Sequence, residues 1–181
     1  MQRTLSIRRG TPQDASALAN FAARTFAETF GAQNRASDME EHLAATYGAE
    51  QQARELGDPT YITLLMEDDV RILAYAQVRQ HQPPPCVAGD APIELYRFYV
   101  DRSWHSRGVA QRLMAQVYDA ARNLGGLTLW LSVWERNPRA IAFYAKCGFR
   151  DAGTADFFVG PDRQTDRILV TNVADHTPGT T

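Results

Sequence analysis

One lysine stands among 181 residues, Lys146, and it follows an alanine, so no Gly-x-x-x-x-Gly-Lys loop exists and nucleotide hydrolases built on that loop are excluded. Cysteine is nearly as scarce. Cys86 and Cys147 lie far apart with no partner motif, which argues against a disulfide framework and a structural metal site. The four histidines, His42, His81, His105 and His176, form no metal-spaced pair, and no metal is expected. No apolar run approaches the roughly 18 to 20 residues that span a membrane, and the opening stretch MQRTLSIRRG lacks the apolar segment of a signal peptide. These absences point to a reduced, cytoplasmic protein, with neither a membrane nor a nucleic acid as its partner.

What is present is ordinary in bulk and uneven in detail. With 44% hydrophobic and 22% charged residues, the chain fits one globular domain with a real core. Its net charge of −2 hides a block over residues 28–69 that carries −8, while the segments before and after it each carry +3. Such asymmetry suits a protein that meets both a cation and an anion; acidic surface helices that only keep the chain in solution give the same pattern.

Along the chain, a short strand around Leu5 to Arg9 leads into a helix with Thr11 as cap, Pro12 in the first turn and Asp14 three residues past the cap. Ala15, Leu18, Ala19, Ala22 and Phe26 then recur at helical spacing. Ser37 and Glu40 repeat the capping-box spacing before a second helix that Gly48 ends, and AEQQARELGDP reads as a third. TYITLLME and VRILAYAQVRQ form a hairpin, HQPPPCVAGDAP a loop, and IELYRFYV a strand. A helix from Arg107 to Leu124, the strand LTLWLSVW, a helix from Pro138 to Cys147 and two closing strands complete an α/β pattern with a parallel crossover. A single domain over 1–173 and a flexible tail over 174–181 are expected.

The stretch WHSRGVAQRLM places a glycine and small residues where a helix begins. The first amides of a helix lack intrahelical partners and sit at its positive end, so this junction offers an anion site, with Gly108 permitting close approach and Arg107 and Arg112 flanking it. FYVDRSWHSRGVAQRLM followed by NPRAIAFYAKCGF resembles the GNAT superfamily of acetyl-CoA-dependent N-acetyltransferases. The resemblance implies the GNAT fold: a mixed, mostly antiparallel sheet of six to seven strands with a parallel, splayed pair, flanked by four to five helices. It implies acetyl-CoA as co-substrate, its pyrophosphate held by backbone amides over Arg107 to Leu113. The family pattern Gln/Arg-x-x-Gly-x-Gly/Ala falls on His105, Gly108 and Ala110, with histidine in place of the usual first residue. Phe98, Tyr99, Val100, Ser106, Val109, Gln111, Asn137 and Ala140 complete the implied coenzyme site. Members of the family are often dimers, so a homodimer is among the states expected.

For the chemistry, the resemblance implies that Tyr144, two helical turns after Asn137, protonates the departing thiolate. Alternation along IELYRFYV places Glu94 on one face with Tyr96, Phe98 and Val100, where burial would make it a general base; a pair with Arg71, Arg79 or Arg97 is the other reading. TFAETFGAQN, Met39, LWLSVWERNPRAIAFY and QTDRILV look like the bacterial spermidine/spermine N-acetyltransferases, which implies a polyamine acceptor for the −8 block, with Glu28, Glu40 and Glu41 as its contacts. Peptide N-termini, small xenobiotic amines and a coenzyme-sensing role without turnover stay open beside it.

Overall fold

A computed structural model describes residues 4–159 and 162–176. Among them a seven-stranded sheet runs in the order β1-β2-β3-β4-β5-β7-β6, with β1 Ser6–Arg9, β2 Tyr61–Glu67, β3 Ile72–Arg79, β4 Pro92–Val100, β5 Thr128–Trp134, β6 Arg150–Val159 and β7 Asp162–Asn172. Every neighbouring pair is antiparallel except β4 and β5. The five α-helices are α1 Ala15–Phe30, α2 Ala36–Tyr47, α3 Ala49–Gly57, α4 Val109–Asn123 and α5 Pro138–Lys146. The expected GNAT architecture is the one observed.

The local sequence explains most of these elements. The Thr11 amide donates to Asp14 Oδ2 at 2.8 Å in a one-turn 3-10 helix that leads into α1, and the Arg8 guanidinium holds the Asp14 carboxyl well below the usual carboxylate range. Leu18, Ala19, Phe21, Ala22 and Phe26 form the buried stripe of α1. The capping box expected at Ser37 and Glu40 does not form. Helix α2 begins two residues earlier, capped by Arg35 in extended conformation, and Ser37 Oγ donates instead to Asp38 Oδ1 at 3.2 Å. The β2–β3 turn closes on Asp68 Oδ1, which accepts from the amides of Val70 and Arg71.

Alternation sorts the side chains of the sheet onto two faces. Ile62, Leu64, Ala74, Ala76, Val78, Leu129, Leu131 and Val133 face α4 and α5, where Val109, Leu113, Met114, Val117 and Tyr144 meet them. Leu65, Ile72 and Tyr75 face α1 and α2, against Leu18, Phe21, Phe26, Met39 and Tyr47. Strand β4 breaks the alternation. Opposite β3, Val78 pairs with Leu95 and Gln77 with Arg97, so Tyr96 is an extra residue and the strand bulges there. Beyond the bulge the parity reverses. Ile93 and Leu95 lie on the α4 side before it, and Phe98 and Val100 after it.

The chain stays ordered past the expected boundary. Val173–Asp175 forms a 3-10 turn, the His176 ring stacks on Tyr118 at 3.7 Å between centroids, and Arg122 donates to the His176 carbonyl. Of the tail expected over 174–181, residues 177–181 lie outside the described residues.

The bulge also turns Arg97 into the sheet's α1 face, where it is 4% exposed. Its Nη1 donates to Glu55 Oε2 at 2.5 Å and to Gln77 Oε1 at 2.7 Å, and Gln77 in turn donates to Glu55 and Thr63. Removing one partner of such a buried pair strands the other charge. We therefore expect Glu55→Ala to lower stability by about 3 to 5 kcal/mol in urea denaturation, whereas Glu50→Ala, from the exposed pair with Arg54 on the same helix, changes it little.

Candidate active-site cleft

Strands β4 and β5 are joined at three register positions only, Pro92 with Thr128, Ile93 with Leu129 and Glu94 with Trp130. Past Glu94 the two part, and the bulge at Tyr96 carries β4 away. The gap is a cleft of about 1240 Å³ that passes from the α4 and α5 side to the α1 and α2 side. Phe98, Tyr99 and Val100 line one wall and Ser132, Val133 and Trp134 the other.

At one mouth stands the start of α4. Ser106 and Gly108 both adopt left-handed backbone, with φ of 60° and 77°, which turns the chain sharply into the helix. Arg112 donates its amide to Gly108 O at 3.1 Å, so the amides of Val109, Ala110 and Gln111 precede the first intrahelical donor. His105, Ser106, Gly108, Ala110 and Gln111 line the cleft, while Val109 and Leu113 are buried beneath and anchor the helix. The two flanking arginines turn elsewhere. Arg107 lies over the Trp104 ring at 5.4 Å and Arg112 reaches the Leu5 carbonyl at 3.4 Å, and neither lines the cleft. Their place is taken by Arg139. The His105 ring donates from Nε2 to Val100 O at 2.9 Å, which leaves Nδ1 to accept from Arg139 Nη1 at 2.6 Å. His105 thus ties the end of β4 to the start of α5 and fixes a guanidinium at the anion mouth.

Deeper in, Tyr144 packs against Phe98, Phe143 and Phe149, and burial pushes its phenol well above the ordinary value. It therefore keeps its proton across the physiological range. Desolvation raises the basicity of a thiolate leaving in the same place, so the two remain matched as donor and acceptor. Asn137 caps α5, its Oδ1 accepting from the Ala140 amide at 3.2 Å, and both residues line the cleft.

Glu94 lies on the other face from the one expected. Since the bulge reverses parity, it shares a face with Arg97 and Tyr99 and not with Phe98 and Val100. It is 6% exposed, and Oε2 accepts from Arg79 Nε at 2.5 Å. The ion pair with Arg79, one of the alternatives open from sequence, is the one that forms.

On the α1 and α2 side the cleft widens into an aromatic chamber with Phe26, Phe30, His42, Tyr99, Trp134 and Phe157 in its walls. His42 stacks on Phe26 at 4.7 Å, and burial together with Arg97 lowers its pKa. Of the three acids expected to meet the acceptor, Glu28 lines the chamber, paired with Arg24 at 3.0 Å. Glu40 and Glu41 are exposed and lie outside it, because α2 turns Met39, His42, Thr46 and Tyr47 inward. Sequence reasoning missed Trp130, Ser132 and Trp134, although their i, i+2, i+4 spacing in LTLWLSVW marks one face of a strand; it also missed Asp166 beside them on β7.

The family model described as Acetyltransferase (GNAT) family matches residues 18–149. An uncharacterized N-acetyltransferase of Mycobacterium tuberculosis is 32% identical over 157 residues, 87% of this chain and 96% of that one. A ribosomal protein bS18 alanine N-acetyltransferase of Salmonella typhimurium is 32% identical over 92 residues, 51% of this chain and 57% of that one. Among solved structures, the PaiA N-acetyltransferase of Thermoplasma acidophilum in complex with coenzyme A superposes with a TM-score of 0.75 at 17% identity, covering 93% of this chain and 99% of that one.

No atom lies within 4 Å of where a Cβ would stand on Gly108, so the protein itself leaves room for a side chain there. Gly108→Glu is expected to fold at a cost of about 1 to 2 kcal/mol for the left-handed backbone, and to weaken acetyl-CoA binding by roughly 100-fold or more by placing a negative charge at the amide end of α4. Titration calorimetry on the folded variant checks this, and an unchanged affinity rejects the anion site.

Proposed function

Because the chain belongs to the acetyltransferase (GNAT) family and is an acetyl-CoA-dependent N-acetyltransferase, we propose that its acceptor is a primary amine of the polyamine class, such as spermidine or spermine. The aromatic chamber carries this reading. Ring faces attract ammonium groups, and a slender polycation has several such groups to place along Phe26, Phe30, Trp134 and Phe157, with Glu28 as an anionic partner. In this reading the coenzyme pyrophosphate rests on the amides of Val109 to Gln111 beside Arg139, and the acyl arm runs between β4 and β5. The acceptor enters from the α1 and α2 side. Its amine attacks the thioester carbonyl, the C–S bond breaks, and the Tyr144 hydroxyl protonates the departing sulfur.

A second reading has its own support. The bS18 alanine N-acetyltransferases among the relatives act, by name, on a protein's alanine, which makes a peptide N-terminus the competing acceptor. A panel of spermidine, spermine, monoamines and alanine-terminated peptides, scored by thiol release, decides between them. A clear preference for the peptide rejects the polyamine.

Substitutions at two cleft residues probe the assignment, with two outside the chamber as controls. Tyr144→Phe is expected to lower kcat by about 10²- to 10³-fold, the usual span for a positioned acid, with little change in acetyl-CoA affinity. Full activity across pH 7 to 9 would leave Tyr144 a packing residue. Glu28→Gln is expected to raise the KM for spermidine up to about fivefold, the scale of an exposed ion pair, with the effect fading at high salt. Glu40→Gln and Glu41→Gln, outside the chamber, should leave that KM alone.

A further inference from the structure

We propose that Asp166 is the carboxylate that receives the acceptor's ammonium group and takes its proton, through Oδ1. The inference rests on the reading of the cleft as that of an N-acetyltransferase, and it names the base that the Glu94–Arg79 pair leaves unassigned.

Asp166 lies on β7 between Trp134 of β5 and Ala155 of β6 and lines the cleft on its aromatic side. It is 6% exposed. Oδ2 accepts from Ser132 Oγ at 2.6 Å, while Oδ1 is buried without a hydrogen-bond partner. On the same face, Trp130 Nε1 is likewise without one. A buried carboxylate oxygen with no donor is costly, so its position on a cleft wall marks it as half of an interaction that a ligand completes. The charged and titratable groups of the surrounding elements do not complete it. Arg79 and Arg97 are held by Glu94 and Glu55, Glu28 by Arg24, and Glu135 at the end of β5 adds repulsion; His42 is kept neutral by burial and Arg97, and His81 stacks on Trp130. Burial and Glu135 together hold the Asp166 carboxyl above its ordinary range, which moves it toward the strength of a useful base.

The protons balance. The ammonium gives one proton to Asp166 Oδ1, which becomes a neutral acid, and the freed amine attacks the thioester carbonyl. As the C–S bond breaks, its electron pair stays on sulfur, which takes the Tyr144 proton. The second proton leaving nitrogen restores Tyr144, and Asp166 releases the first to water. One proton is released for each amide formed.

Asp166→Asn keeps the shape and the Ser132 bond, and it separates this role from packing. With wild type and variant both assayed on spermidine and on an alanine-terminated peptide, we expect kcat/KM at pH 7.5 to fall at least 100-fold on the better acceptor, with the acetyl-CoA KM within about twofold. The deficit should shrink as pH rises toward the amine's own pKa, where solvent supplies free amine. Spermidine binding followed by tryptophan fluorescence, all three tryptophans lining the cleft, should weaken at least tenfold in the variant. The variant should also melt higher than wild type. Because folding disfavours the charged form, the wild-type penalty is absent below the unfolded carboxyl pKa, grows as pH rises and is complete above the folded pKa; the difference in Tm should widen accordingly. A variant within threefold of wild type with a parallel pH profile overturns the proposal, and so does a lowered Tm with a pH-independent loss. If the peptide proves the better acceptor, the polyamine reading fails while a 100-fold loss on the peptide still supports Asp166. If wild type releases no thiol with any amine, the enzymatic reading fails, and weaker spermidine binding by the variant still assigns the ammonium site.

Discussion

A parallel pair of strands in the middle of a sheet normally zips along its whole length, because each buried backbone amide and carbonyl needs a partner. Here the zip stops after three pairs, at Glu94 and Trp130. The polar edges that β4 and β5 turn toward each other beyond that point belong to a slot through the sheet. Val100 O, on one of these edges, is met by the His105 ring. The slot is open to whatever ligand brings its own polar backbone, and the aromatic packing around Phe98, Phe143 and Tyr144 keeps its α5 side rigid enough to stay apart.

The same bulge that opens the slot also divides the chemistry. By reversing parity within β4, it sends Phe98 and Val100 to the hydrophobic core under α4 and α5, and Arg97 and Tyr99 to the opposite face with Glu94. One side of the sheet is thereby apolar apart from the helix start at its rim, and it suits a long, flexible ligand with an anionic head. The other holds buried charge among aromatic rings. Most of that charge is neutralised internally, Arg97 by Glu55 and Arg79 by Glu94, and Asp166 is the exception that the reaction needs. A protein tolerates such an exception at a site where stability is exchanged for function.

The sequence makes the frame legible because its signals are local. Period-two runs, helix spacing in α1 and α4, and the glycine at the start of α4 suffice to lay out the strands, the crossover and the anion mouth. What escapes depends on contacts between distant segments. Alternation alone carries Glu94 to the wrong face, since nothing in IELYRFYV announces that Tyr96 lacks a partner on β3. The acids of α2 look equivalent to Glu28 until the helix is docked and Met39, His42 and Tyr47 choose the inward side. Asp166 reads as one polar residue in a closing strand, and its burial arises from the placement of β7 between β5 and β6. Arg107 and Arg112 show the reverse error: charge near a motif in sequence is directed elsewhere in space, while Arg139, some thirty residues on, is brought in by His105.

The single lysine of the chain, at the last turn of α5, is exposed and lines the cleft. Its position there complements the carbonyl end of the helix, and the other basic side chains of the chain are guanidinium groups and four imidazoles. An amine-selective acylating reagent therefore has one side chain to find, and that side chain sits at the place where a ligand passes. The molecule carries a built-in footprint: once labelling of the α-amino group is set aside, the extent to which Lys146 is shielded from such a reagent reads the occupancy of the cleft, with no other lysine to share the signal.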